Sequence, residues 1–196
     1  MWKVVLYLSP TTAALFVAAI VGLAALGAWW YGREDGGRAV LTARVLLAAW
    51  AVLVLMATIT PTQPLGTGGY DISWVPGGGL WESGGNGYGL FPEERDMLLR
   101  QQAANAAMFV SLAALLAFSA PRWPPLALIG SCLVFSVVIE AVQFVMAAGR
   151  TVDVDDVLFN TLGGALGVFA VRLAVYAVGR LIPSGGRRRK PRLDHC

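Results

Sequence analysis

Five stretches of this 196-residue chain are long and apolar enough to cross a lipid bilayer, and that fact restricts the fold more than any other. They run over about residues 11–31, 41–59, 102–119, 126–148 and 157–181. A helix needs about 20 apolar residues to span roughly 30 Å of hydrocarbon. In lipid every backbone N–H and C=O must be paired within the protein, which leaves helices or closed barrels. The runs predict an all-α polytopic membrane bundle. Composition agrees: 57% of residues are hydrophobic and 14% are charged, against about 25% charged in soluble domains.

Local signals set the ends of the runs. Ser9-Pro10 is an N-cap and first-turn pair, and Trp29, Trp30 and Tyr31 suit a membrane–water interface. Pro61 and Pro64 close the second run, and Pro121, Pro124 and Pro125 separate the third from the fourth. Residues 62–100 differ. Gly77-Gly78-Gly79 and Gly84-Gly85-Asn86-Gly87 alternate there with Tyr70, Trp74, Trp81, Tyr88 and Phe91. Such glycine density without helical period predicts a loop, either an interfacial flap folded over the bundle mouth or a flexible tether. No Gly-Lys-Ser/Thr follows the glycines, which excludes a phosphate-binding loop.

Charge orients the bundle. Positive residues collect on cytoplasmic loops. With the N-terminus outside, Arg33, Arg38, Arg44, Arg122, Arg180, Arg187, Arg188, Arg189, Lys190 and Arg192 fall inside. Lys3, Arg95, Arg100 and Arg150 fall outside, and Arg172 lies in the inner half of the last span. This predicts a multi-pass cell-membrane protein with an extracytoplasmic N-terminus and a cytoplasmic C-terminus. A cleaved signal peptide at Ala25-Leu26-Gly27 would expose Arg33, Arg38 and Arg44 outside, against the same rule. The net charge of +3 is concentrated after Arg180, a topology anchor rather than a nucleic-acid surface. Cys132 lies in an apolar run and Cys196 ends the chain, so neither a disulfide nor a CxxC site is expected; the one histidine, His195, is in the polar tail. No metal and no cofactor is expected.

The chemistry-bearing stretch is 140–167. Glu140 lies inside the fourth span, where a carboxylate costs a few kcal/mol unless it faces the bundle interior and is paired. Gln143 shares its helix face. After a turn through Ala147-Ala148-Gly149-Arg150, Asp153, Asp155 and Asp156 open the fifth span, where a carboxylate can cap the helix and suit its positive end. Asn160 is one turn below Asp156, and Asn105 near the start of the third span is within reach of the group. Glu140, Gln143, Arg150, Asp153, Asp155, Asp156, Asn160 and Asn105 therefore form a candidate binding cluster just below the outer surface. Arg150 is suited to a carboxylate or phosphate. The competing reading is a polar clasp that locks two helices in register. Gly163 and Gly167 form a small-xxx-small pair that lets helix backbones approach.

Glu140-x-x-Gln143, the run from Arg150 to Leu158, and Asn160-Thr161-x-Gly163-x-x-x-Gly167 resemble the signature of the VanZ-like family, as does Asn105-Ala106-Ala107-Met108-Phe109. The resemblance covers about residues 59–178. It departs at Ser111-Leu112-Ala113, where the family has a Pro-x-Gly element, so the third span is expected to lack that kink. It implies a four-span VanZ-like core plus one N-terminal span. On this division 1–40 hold the first span and its cytoplasmic link, 41–181 the membrane domain with its loop at 62–100, and 182–196 the basic tail. The resemblance also implies an association with reduced susceptibility to teicoplanin-type lipoglycopeptides. The expected partner is thus membrane lipid, in particular a cell-wall lipid precursor or a lipoglycopeptide antibiotic, bound without catalysis. A membrane enzyme acting on a lipid phosphate or ester, with Glu140 as general base, and a small proton-coupled transporter are the alternatives. The chain has no histidine near the cluster, and no inverted repeat is evident. A reporter fused after Cys196 is expected to be active only in the cytoplasm; activity outside reverses the orientation.

Overall fold

The computed structural model describes Gly22, Gly27, and residues 36–59, 61, 63–68, 72–77, 92–147 and 152–181. Four helices account for most of them: α1 Gly36–Ile59, α2 Pro92–Ser119, α3 Pro125–Met146 and α4 Val154–Leu181. All four are long and apolar enough to cross a membrane. The fifth, N-terminal span lies outside the described residues apart from Gly22 and Gly27. Two short strands, β1 Ile72–Ser73 and β2 Val152–Asp153, accompany the four helices among the described residues.

The prolines end the helices as expected. Pro124, extended at φ −67° and ψ 152°, is the N-cap of α3, and Pro125 is its first residue, where a missing N–H costs nothing. The apolar third run continues upward as helix to Pro92, so residues 92–100 are not loop as the sequence reading has them. The glycines stop at Gly89, and Pro92-Glu93-Glu94 is a helix-starting composition. This charged extension adds about 13 Å above the apolar part of α2 at 1.5 Å per residue. Arg100 and Asp96 pair along it at 2.7 Å. Helix α2 runs unbroken through Ser111-Leu112-Ala113.

Consecutive helices alternate in direction, so α2 and α4 run parallel, and their contact is the most extensive in the bundle. Glycine makes that approach possible. A Cβ on Gly163 would overlap the Ala106 carbonyl of α2, and one on Gly167 would overlap that of Val110 one turn further on. On the neighbouring face, a Cβ on Gly164 would lie 2.8 Å from Cys132 Cβ of α3. The small-xxx-small spacing thus seats α4 against α2 and α3 together. Phe109, Leu128, Ile139, Val54 and Val168 fill the interior, with the Phe109 and Phe135 rings 6.0 Å apart. Trp50 of α1 donates its indole N–H to the Met108 carbonyl of α2 at 3.0 Å. The outer faces expose Leu126, Val145, Phe169 and Leu173, which suits lipid.

The tops of all four helices, the end carrying β1 and β2, form the loop end; the α2–α3 turn marks the opposite, tail end. Gly163→Ala and Gly167→Ala are each expected to lower the unfolding free energy by about 1–3 kcal/mol. Gly130→Ala and Gly179→Ala, with nothing within 4 Å of the added carbon, are expected to leave it unchanged or slightly raised. Thermal unfolding in mild detergent checks the contrast.

Candidate functional site

The start of α4 is where the bundle's polar side chains meet. A helix N-terminus leaves backbone N–H groups without helical partners, and this one is half-buried. Asp153 is the local cap: its Oδ1 accepts from the Asp155 N–H at 2.9 Å. The N–H of Asp153 itself donates to Glu140 Oε2 of α3 at 3.3 Å. This is the reciprocal logic of a capping box, except that the second carboxylate comes from a neighbouring helix. Three aspartates at this end also suit the positive pole of α4.

The remaining aspartates bind other elements. Asp155 receives the Gly77 N–H on both carboxylate oxygens, at 2.9 and 3.0 Å. Gly77 has a φ of +73°, a left-handed turn that glycine adopts without strain. Just before it, β1 pairs in parallel with β2, Ile72 opposite Val152 and Ser73 opposite Asp153. Asp156 turns away from α3 and accepts from Asn105 Nδ2 of α2 at 3.0 Å. The expected meeting of the Asp156–Asn160 face with Glu140 and Gln143 is therefore divided. Asn160 alone points to α3, donating from Nδ2 to Ser136 Oγ at 2.9 Å.

Gln143 serves α1. Its Nε2 donates to the Thr58 carbonyl at 2.9 Å, one of the last-turn carbonyls that α1 leaves unpaired. The end of α3 is finished by the glycine-rich segment. Ala147 is its C-cap in the left-handed region, φ 42° and ψ 49°, a conformation costing about 1–2 kcal/mol without glycine. The carbonyls of Met146 and Ala147 accept from Gly66 N and Gly68 N at 3.1 and 2.7 Å. Between α1 and α2, the described residues are thus tied to the ends of α3 and α4 by backbone groups at Gly66, Gly68, Ile72–Ser73 and Gly77.

Glu140, Gln143, Asp155 and Asn160 are 5, 6, 6 and 4% exposed, so the cluster is interior despite its charge. Seven of the eight expected residues are gathered at this end. Arg150 lies outside the described residues. Sequence reasoning missed Ser136, Gln102, Thr58 and Gly77. Ser136 is four residues before Glu140 and Gln102 three before Asn105, so helical spacing could have found both. Thr58 and Gly77 contribute backbone atoms, which leave no side-chain signature.

Two buried acceptors stand out. Asn160 Oδ1 and Gln102 Oε1 have no hydrogen-bond partner among the described residues. Gln102 lies one turn above Ala106, on the α2 face that meets α4. Among the described residues no group of His, Cys, Asp and Glu is arranged to hold a metal ion.

A protein-family model described as VanZ/LLP1 matches residues 43–175, which takes in α2 and α3 whole, most of α1 and α4, and every residue of the cluster. No curated protein and no solved structure matches the chain.

Asp155→Ala is expected to release the overlying segment, raising amide exchange at residues 72–77. It should cost about 1.5–3 kcal/mol, the worth of a hydrogen bond to a charged group. Asp155→Asn, which keeps an acceptor, should lose less. Hydrogen exchange with mass-spectrometric readout compares the two.

Proposed function

Because the chain belongs to the VanZ/LLP1 family, we propose that it is a non-enzymatic envelope membrane protein. On this reading its loop-end cluster binds the polar headgroup of a cell-wall lipid precursor or a lipoglycopeptide at the outer leaflet. The loop end faces the exterior and the basic tail the cytoplasm.

The observation that carries this reading is the pair of buried acceptors, Asn160 Oδ1 and Gln102 Oε1, that have no partner among the described residues. A clasp built only to hold helices together gains nothing by burying acceptors without donors, each costing about 1–3 kcal/mol. Buried polar atoms in native proteins are otherwise almost always paired. The amide of Asn160 is satisfied by Ser136 at one end only. A headgroup rich in hydroxyl or amide N–H donors, as sugars and peptides are, supplies what the two oxygens lack. The overlying glycine segment gives such a ligand a cover built from backbone bonds, which part more readily than a packed helix.

The carboxylates fit this role better than acid–base catalysis. Glu140, Asp153, Asp155 and Asp156 each accept a bond from the protein's own N–H groups. Their geometry is explained by holding α4, α2 and the cover in place.

The test replaces Asn160 by leucine, which removes the unsatisfied amide at similar volume. Ser136→Ala accompanies it, because Ser136 Oγ would otherwise lose its buried donor; with both partners replaced, stability is expected to change by less than about 1 kcal/mol. Retention of lipid-linked ligand, read by native mass spectrometry in mild detergent, is expected to fall about tenfold, equivalent to about 1.4 kcal/mol. Protection against a teicoplanin-type antibiotic in a sensitive host should fall in parallel. A marked loss of stability with ligand retention intact would establish the clasp instead.

A further inference from the structure

A second feature lies below the polar cluster, from mid-bundle toward the tail end. A groove of about 210 Å³ runs between α1, α2 and α3, walled by Leu47, Ala51, Leu112, Leu116, Cys132 and Phe135. Its lining is almost entirely apolar. It lies in the tail-end half, since Leu112 and Leu116 belong to the later turns of α2 and Cys132 and Phe135 to the earlier turns of α3.

Two arginines lie on the tail side of these walls along the chain. Arg44 precedes Leu47 by three residues and Ala51 by seven, so all three share one face of α1. Long side chains on a helix lean toward its N-terminus, which for α1 is the tail end, and arginine stems run along apolar surface with the charge toward water. Arg122 sits in the turn joining α2 to α3, the two helices that make the other walls. Both arginines are exposed. Among the described residues neither makes an ion pair or side-chain hydrogen bond, and no acidic side chain lies in this half of the bundle. Arg172, by contrast, is committed to the Trp123 carbonyl at 2.7 Å, and Arg180 stacks on Tyr176.

We infer that this groove is a binding site for an anionic phospholipid of the tail-end leaflet, with an acyl chain between α1, α2 and α3 and its phosphate between Arg44 and Arg122. The apolar slot alone would take any lipid tail; the unpaired guanidinium groups select a negative headgroup. The chain's own first apolar run is the competing occupant. Where that run is described, a Cβ on Gly27 would lie 3.2 Å from the Phe118 ring. Phe118 is two residues past Leu116, about 200° around α2 at 3.6 residues per turn. Gly27 thus meets α2 on a face other than the one that carries Leu112 and Leu116 into the groove.

The experiment titrates the full-length protein in mild detergent with dioleoyl phosphatidylglycerol or dioleoyl phosphatidylcholine, counting retained lipid by native mass spectrometry. Wild type is expected to retain the anionic lipid preferentially. Arg44→Ala and Arg122→Ala should each reduce that preference about fivefold, as one surface arginine contributes about 1 kcal/mol. Leu47→Trp should reduce retention of both lipids by filling the slot, while Arg180→Ala leaves both unchanged. Equal retention of the two lipids by wild type overturns the proposal without any variant having to fold. So does an Arg180→Ala effect as large as that of Arg44→Ala, which would mean diffuse surface charge. Lipid uptake that appears only after deletion of residues 1–30 also overturns it, by giving the groove to the first run.

Discussion

The half-buried N-terminus of α4 is the constraint from which the rest of the polar architecture follows. A helix that begins half inside a bundle, close to hydrocarbon, presents N–H groups that water reaches poorly, and each gains from an acceptor. Asp153 supplies one from within the helix and Glu140 supplies another from α3. Once those carboxylates are in place, their neighbours are fixed in turn. Asp155 faces the overlying segment and collects Gly77, while Asp156 faces α2 and collects Asn105. One helix start thereby ties together α2, α3 and the segment between α1 and α2. Gln143 extends the same network to α1 through Thr58.

Close approach of backbones makes this network possible, and it depends on residues with no side chain. Gly163 and Gly167 let α4 settle against the Ala106 and Val110 carbonyls, and Gly164 admits Cys132. Lipid tails are as apolar as the side chains they touch, so helices in a bilayer gain by dense packing more than by hiding apolar surface. The exposed Leu, Val and Phe side chains on the outer faces are consequently no fault in the fold. The bundle also separates its chemistry by end. The described carboxylates and buried amides gather toward the loop end, while an apolar groove opens between α1, α2 and α3 below them.

Much of this was legible in the residues. The four apolar runs and the prolines between them mark α1, α2, α3 and α4, because in lipid an apolar stretch of that length has few other conformations to adopt. Helical spacing puts Glu140 with Gln143 and flags Gly163 with Gly167. The reading failed where a local rule competes with a longer-range one. Residues 92–100 look like loop because charge interrupts the apolar period, yet a helix already begun at Pro92 carries on into its apolar part without interruption. The division of labour between Asp155 and Asp156 was equally hidden. Adjacent helix positions diverge by about 100°, so two chemically identical side chains bond to different elements.

The sequence by itself determined the solvent, the helical class, and the concentration of polar groups around one helix start, because hydrophobic length and residue spacing are properties of a single strand of chain. Only the tertiary structure decided which acceptor meets which donor. The partners of Asp155 and Gln143 are backbone atoms, identical in every residue type, and Asn105 lies 51 positions from Asp156. Nothing in local spacing selects among such contacts. They are chosen by how closely α4 seats on α2, and therefore by where two glycines allow the backbones to touch.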